Sequence, residues 1–187
     1  MQKRYPLVSL YDAHSEKEIF GNPMIVSNAH NLAQSLVKAK LGAVARVDSQ
    51  VVTTILTTLI ENAISVVGIS PAATEHEHQI AFRLPPVSFP LIFSGRGALG
   101  ADVMALSSSH GVVIAGSDEE SLLGVLGCIG DRGIPIGIFT SENPAEVRRK
   151  VNNHYPNLML HIFVLNEPDK LVRDIAFEMR KQYMEKK

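Results

Sequence analysis

Seven short, β-rich apolar runs alternating with longer segments of helical period constrain this chain more tightly than any motif in it. Pro6 to Leu10, Ala43 to Val47, Ser65 to Ile69, Leu91 to Phe93, Gly111 to Ala115, Ile136 to Thr140 and His161 to Leu165 each read as a strand. Most are continuous rather than alternating, the pattern of strands buried on both faces, and parallel strands need a crossover that a helix supplies. The expectation is an α/β fold of Rossmann-like, three-layer type: a mostly parallel sheet of about seven strands with helices on both faces. No repeat, low-complexity tract or shift in composition divides the chain, so residues 1–187 read as one domain.

Helix start signals fill the gaps between strands. Asn28 reads as a cap for a helix carrying Leu32, Leu36 and Val37, and Ser49 for one carrying Ile55, Leu56, Leu59 and Ile60. Ser117 and Glu120 have capping-box spacing ahead of Leu122, Leu123, Val125 and Leu126, in a helix that stops near Gly130 or Gly133. Asn143-Pro144 and Asn166-Glu167-Pro168 open the last two helices, and Arg180-Lys181 suits the negative end of the final one. The stretch from Ser70 to Pro90, with Glu75-His76-Glu77-His78 and Pro85-Pro86, reads as a surface loop.

A chain of 187 residues can bury a core without disulfides or metal. Its residues are 45 % hydrophobic and 20 % charged with a net charge of −1, which excludes disorder and gives no basic surface for nucleic acid. The sole cysteine, Cys128, excludes an internal disulfide, suits a reducing compartment, and reads as a buried thiol in an apolar helical run. Met1 to Pro6 leads to Tyr11-Asp12 without the apolar core of a signal peptide, and no window reaches the ~20 apolar residues of a membrane span. A soluble, cytoplasmic protein with neither membrane nor nucleic-acid partner is expected.

The order of segments from Leu32 to Ile175 carries a more particular likeness. Its pieces are Ser65-Val66-Val67-Gly68-Ile69-Ser70-Pro71, then Met104 and Ser109-His110-Gly111-Val112-Val113-Ile114, then Ser121-Leu122-Leu123-Gly124-Val125-Leu126. Gly133-Ile134-Pro135-Ile136-Gly137-Ile138 and Phe163-Val164-Leu165-Asn166-Glu167-Pro168-Asp169-Lys170-Leu171 complete it. Together they resemble the lysine decarboxylase-like family, whose characterised members are cytokinin-activating nucleoside 5′-monophosphate phosphoribohydrolases. The resemblance implies a Rossmann-like fold, a phosphorylated ligand at the strand ends, and a homodimer. That family's chemistry sits in a Pro-Gly-Gly-x-Gly-Thr-x-x-Glu loop, where this chain reads Ile114-Ala115-Gly116-Ser117-Asp118-Glu119-Glu120-Ser121. Its glycine-rich turn after the second strand is replaced by Arg46-Val47-Asp48-Ser49, and its arginine four residues before Met104 by Gly100. The implied reading is a divergent member binding a nucleotide or other phosphorylated small molecule with little or no catalysis. Its alternatives are an active phosphoribohydrolase, an N-glycosidase with Glu120 as catalytic residue, and a structural or interaction protein with no small-molecule site. No cofactor or metal is implied.

Among the candidate residues, Ser94-Gly95-Arg96-Gly97 follows a strand and opens a helix, so its glycines permit close backbone approach and Arg96 can hold an anion. Gly116 and Ser117 complete the expected ligand-binding set. Asp118, Glu119 and Glu120 crowd the helix N-terminus that would otherwise attract phosphate, each opposing it by about 1 kcal/mol. His76 and His78, two apart in an extended loop, would share one side, but no third ligand follows at a recognisable spacing. Ser107-Ser108-Ser109-His110 reads as a helix end rather than a hydrolase triad. The helix from Ser49 to Ala63 is nearly apolar all round and is the expected dimer contact.

Overall fold

The computed structural model of the chain describes residues 6–15, 22–82 and 89–185. The strands are β1 (Leu7–Asp12), β2 (Gly42–Arg46), β3 (Val66–Ser70), β4 (Leu91–Phe93), β5 (Gly111–Ala115), β6 (Ile136–Phe139) and β7 (Ile162–Leu165). The helices are α1 (Pro23–Ala39), α2 (Gln50–Glu61), α3 (Glu75–Phe82), α4 (Gly97–Ser107), α5 (Glu119–Ile129), α6 (Pro144–His154) and α7 (Pro168–Glu185). All strands pair in parallel, in the order β4-β3-β2-β1-β5-β6-β7, with Leu10 opposite Ala45 on one side and Val113 on the other. Each expected strand is present within two residues of its reading.

Every residue of β5 is buried, because helices cover both faces of the sheet. Val8, Leu10, Ala43 and Ala45 pack with α1, α2 and α7, whereas Val112, Ile114, Ile136 and Ile138 pack with α5 and α6. Ala101 and Ala105 bring α4 close onto Val44 and Ile69. Fully buried Leu32, Leu36, Leu56 and Leu59 each contribute roughly 1.5–3 kcal/mol by leaving water. Among the described residues no helix is long and apolar enough to cross a membrane.

Two helix starts and one connection differ from the sequence reading. Asn28 lies inside α1, which begins at Pro23, because Asn22 accepts from the Met24 amide and proline takes the first turn. The α5 cap is Asp118, whose carboxylate accepts from Ser121 N–H and Oγ–H, not Ser117, whose hydroxyl is engaged elsewhere. Ser49 and Asn143 cap α2 and α6 as read. The presumed loop after β3 contains α3, held by a capping box in which the Thr74 hydroxyl accepts from Glu77 N–H while Glu77 accepts from Ala73 N–H. Pro85-Pro86 lies outside the described residues. Cys128 is exposed rather than buried, because the buried stripe of α5 runs through Leu122, Leu126 and Ile129 and position 128 falls off it.

From β1 the chain builds outward to β4, then α4 returns across the sheet and β5 forms on the other side of β1. This reversal puts the switch point of the strand order at the carboxyl ends of β1 and β5, the place where open α/β sheets hold ligands.

A charged crevice at the carboxyl ends of the central strands

The backbone first closes one side of the crevice. Gly116 ends β5 at φ +99°, and a Cβ there would stand 2.6 Å from the Ala13 carbonyl carbon and oxygen. Only glycine lets the exit of β1 lie this close. Ala13 N–H donates to Ala115 O and Asp118 N–H to Ala13 O, while Gly116 N–H donates to Phe139 O. Ser117 is also spent within the chain: its hydroxyl donates to Glu142 Oε1 at 2.8 Å and receives Thr140 Oγ1–H at 2.7 Å. Glu120 is exposed on the first turn of α5. Its neighbour Glu119 lies 3.7 Å from Lys150, which is also 3.5 Å from Glu142.

At the edge of the sheet, Gly95 and Gly97 take positive φ and shape the β4-to-α4 turn. The amides of Ser94, Gly95 and Gly97 donate to Ser70 O, Ala72 O and Pro71 O, and that of Arg96 reaches Ser94 Oγ at 3.4 Å. The Arg96 side chain is exposed and makes no ion pair among the described residues. It occupies the helix face of Gly100, where a Cβ would collide with its own Cβ. One turn earlier than the arginine the resemblance calls for, Arg96 fills the same face. Four strand spacings, about 19 Å, separate this turn from Gly116 and Ser117, so the two halves of the expected ligand set do not meet at one atom.

Between them lies a group that sequence reading overlooked. Arg46, at the end of β2, places Nε 2.5 Å from Asp48 Oδ2 and Nη1 2.6 Å from Asp102 Oδ2 on α4. Tyr11 Oη donates to the Asp102 main-chain carbonyl at 3.4 Å. At the end of β1, Asp12 Oδ1 accepts from the His14 amide at 3.0 Å and lies 2.8 Å from its Nδ1. Among the described residues no donor reaches the buried Asp12 Oδ2 or Asp102 Oδ1.

Two carboxylates thus flank one guanidinium, and a third, Asp12, is close enough to act on Asp48. Burial pushes the Asp102 carboxyl up to about 6, with Arg46 opposing and Asp48 reinforcing the rise. Burial also raises Asp48, against Arg46 and with help from Asp12, and it raises the Tyr11 hydroxyl. Only Arg46-Val47-Asp48 was visible locally; Asp102 joins through a pairing 56 residues away.

The two histidines of the 75–78 segment separate. On α3 a spacing of two turns side chains to nearly opposite sides. His76 is exposed, while buried His78 sits 2.8 Å from Ser70 Oγ, its imidazole held below its ordinary range by burial. Among the described residues no three metal-ligating side chains gather. Open grooves of about 360 and 410 Å³ run along α1 and α7, where Ser35 and Lys38 already pair with Asp169.

No family model matches the chain and no curated protein matches it. Solved structures share its fold. The molybdenum cofactor binding protein from the phototrophic bacterium Rippkaea orientalis is 14 % identical, with a TM-score of 0.66 over 98 % of this chain and 99 % of that one. The Moco carrier protein from Chlamydomonas reinhardtii is 12 % identical, with a TM-score of 0.68 over 95 % of this chain and 99 % of that one. At such identities the likeness is one of fold.

Proposed function

We propose that this chain is a divergent member of the lysine decarboxylase-like group that binds a nucleotide or other phosphorylated small molecule and performs little or no catalysis on it. The observation that carries the reading is the charged group of Arg46, Asp48 and Asp102, set where the strand order reverses and open α/β sheets hold ligands. Two strand spacings, about 10 Å, separate β2 and its Arg46 from the β4 turn, a span suited to a ligand with distinct ends. The anionic end rests on the Arg96 side chain, because the amides of the Ser94–Gly97 turn already donate within the chain, and Gly116 and Ser117 form the far wall. Names of the fold neighbours, a cofactor binder and a cofactor carrier, support holding a ligand without reaction and add that cofactor to the compounds to test. Glu120 lacks the glycine-rich cradle beside it that N-glycosidic hydrolysis would use. A homodimer is part of the proposal.

A thermal-shift screen across nucleotides, sugar phosphates and the molybdenum cofactor tests the reading, since a compound at 100 times its Kd stabilises the folded chain by about 2.7 kcal/mol. Arg96→Ala should weaken a phosphorylated hit by roughly 10- to 150-fold, the worth of one charge-assisted contact. An unchanged affinity removes the anion from that turn. Incubation with adenosine 5′-monophosphate should release no base; release on the order of 1 to 1000 per second would establish the hydrolase instead.

A further inference from the structure

On the face of the sheet opposite α4, an open groove of about 360 Å³ runs between the end of α1 and the length of α7. Ala39, Val172 and Ala176 give it an apolar floor, and Phe177 stands beside them with 65 % of its surface exposed. The core stripe of α7 runs through Leu171, Val172, Ile175, Ala176 and Met179, so Phe177 falls just outside it. Arg173 lies four residues before Phe177 and Arg180 three after it, on the same flank of the helix. Arg173 is 73 % exposed, with Asp174 no nearer than 3.9 Å, and Arg180 is exposed with no ion pair among the described residues. Lys38 faces them from α1, but it is engaged with Asp169, which also takes the Ser35 hydroxyl.

The other exposed flank of α7 is different. Lys170, Asp174, Glu178 and Lys181 follow one another there at helical spacing, and their charges cancel. A single exposed phenylalanine would mean little by itself. Set on an apolar groove between two uncompensated cations, it supplies both kinds of contact that an amphipathic helix makes when it docks.

We propose that this groove docks an acidic amphipathic helix of a partner protein, its apolar side chains on Ala39, Ala176 and Phe177 and its carboxylates on Arg173 and Arg180. The apolar floor favours such a helix over a bare polyanion, which has nothing to bury there. Charge disfavours a second copy docked through the same face, because that symmetry would bring the arginines of the two copies together. It also sets the register. The adjoining groove, of about 410 Å³, has a surplus of negative charge from Glu167 and Asp169 over Lys38, so the partner's carboxylates stay at the Arg173–Arg180 end. This surface lies apart from the strand ends and stands independently of the small-molecule reading.

The probe is a synthetic fluorescent helix with leucines along one face and glutamates flanking them, titrated into the full chain by anisotropy. The same helix with lysine for every glutamate, and poly-glutamate, are the comparisons. Only the glutamate helix should bind well. Phe177→Ala should weaken it by about fivefold or more, as loss of an aromatic anchor does. Arg173→Ala combined with Arg180→Ala should weaken it by roughly 2- to 30-fold, the contribution of two exposed ion pairs. All three side chains are exposed, so these variants keep the fold. The proposal is overturned by absence of binding at about 1 mM peptide, by equal binding of the lysine helix, or by poly-glutamate binding as tightly. Indifference to Phe177→Ala or to the arginine pair overturns it too. If light scattering shows an assembly of the unaltered chain that Phe177→Ala takes apart, a second copy fills the groove and the acidic partner is refuted.

Discussion

Asp102 ties stability to pH in a direction opposite to that of an ordinary surface carboxylate. Burial lifts its carboxyl to about 6, above the roughly 3.9 of an unfolded chain, so between those values the folded protein holds a proton that the unfolded one has released. The stability this proton contributes is complete below about pH 4 and is lost as pH rises through about 6. Arg46, the one cation placed to oppose the effect, is shared with Asp48, and Asp48 works the other way. Asp102→Asn removes the titration while keeping the shape. The stability of the variant minus that of the parent should therefore climb between about pH 4 and 6 and then level off. Urea unfolding across that range measures it, and a flat difference would show that Asp102 titrates as it does in the unfolded chain. Of this group only Arg46 and Asp48 were legible in the sequence: Asp102 sits among apolar residues of α4, and only the crossover that lays α4 over β2 turns it towards Arg46.

For whole elements the sequence was far more explicit, and the errors have local causes. Strands buried on both faces must be continuously apolar, so all seven stood out, β5 most plainly. Asn22-Pro23 is the same start signal as Asn143-Pro144, yet Asn28 drew the reading because it lies nearer the leucine stripe. Thr74 to Glu77 carries a capping box that the charged composition of the segment disguised as a loop. The all-round apolarity of α2 also has a local answer. Val51, Val52, Ile55, Leu56 and Leu59 are buried within one chain, so these side chains need no partner subunit. Ile55→Glu should therefore unfold the protein, since an unpaired charge would enter its core. For the proposed homodimer we propose as apolar contact the exposed Leu99 and Val103, one turn apart on α4. Light scattering should give a dimer mass at micromolar concentration and a monomer mass for Leu99→Glu with Val103→Glu. A monomer mass for the unaltered chain would end the dimer proposal.

At the scale of the molecule, a ligand held at two places on one sheet edge should behave as two separable contacts. Arg96 is exposed at the edge strand, whereas Asp102 is buried two strands inward, about 10 Å away. Salt distinguishes them, because screening at 1 M acts over about 3 Å on groups in water and far less on a buried pair. Raising ionic strength from about 0.1 to 1 M should weaken a phosphorylated ligand through its Arg96 end and leave the buried Arg46–Asp102 pair almost intact. Substitutions at the two ends should also add. Contacts this far apart with no shared partner are independent to within about 0.3–0.5 kcal/mol. Combining Arg96→Ala with Asp102→Asn should therefore multiply their separate losses to within about twofold. Coupling well beyond that would mean that one ligand group meets both residues, which lie six positions apart along α4, about 9 Å on its axis. The double-mutant cycle thus tests whether the strand order that separates these two turns also divides the ligand between them.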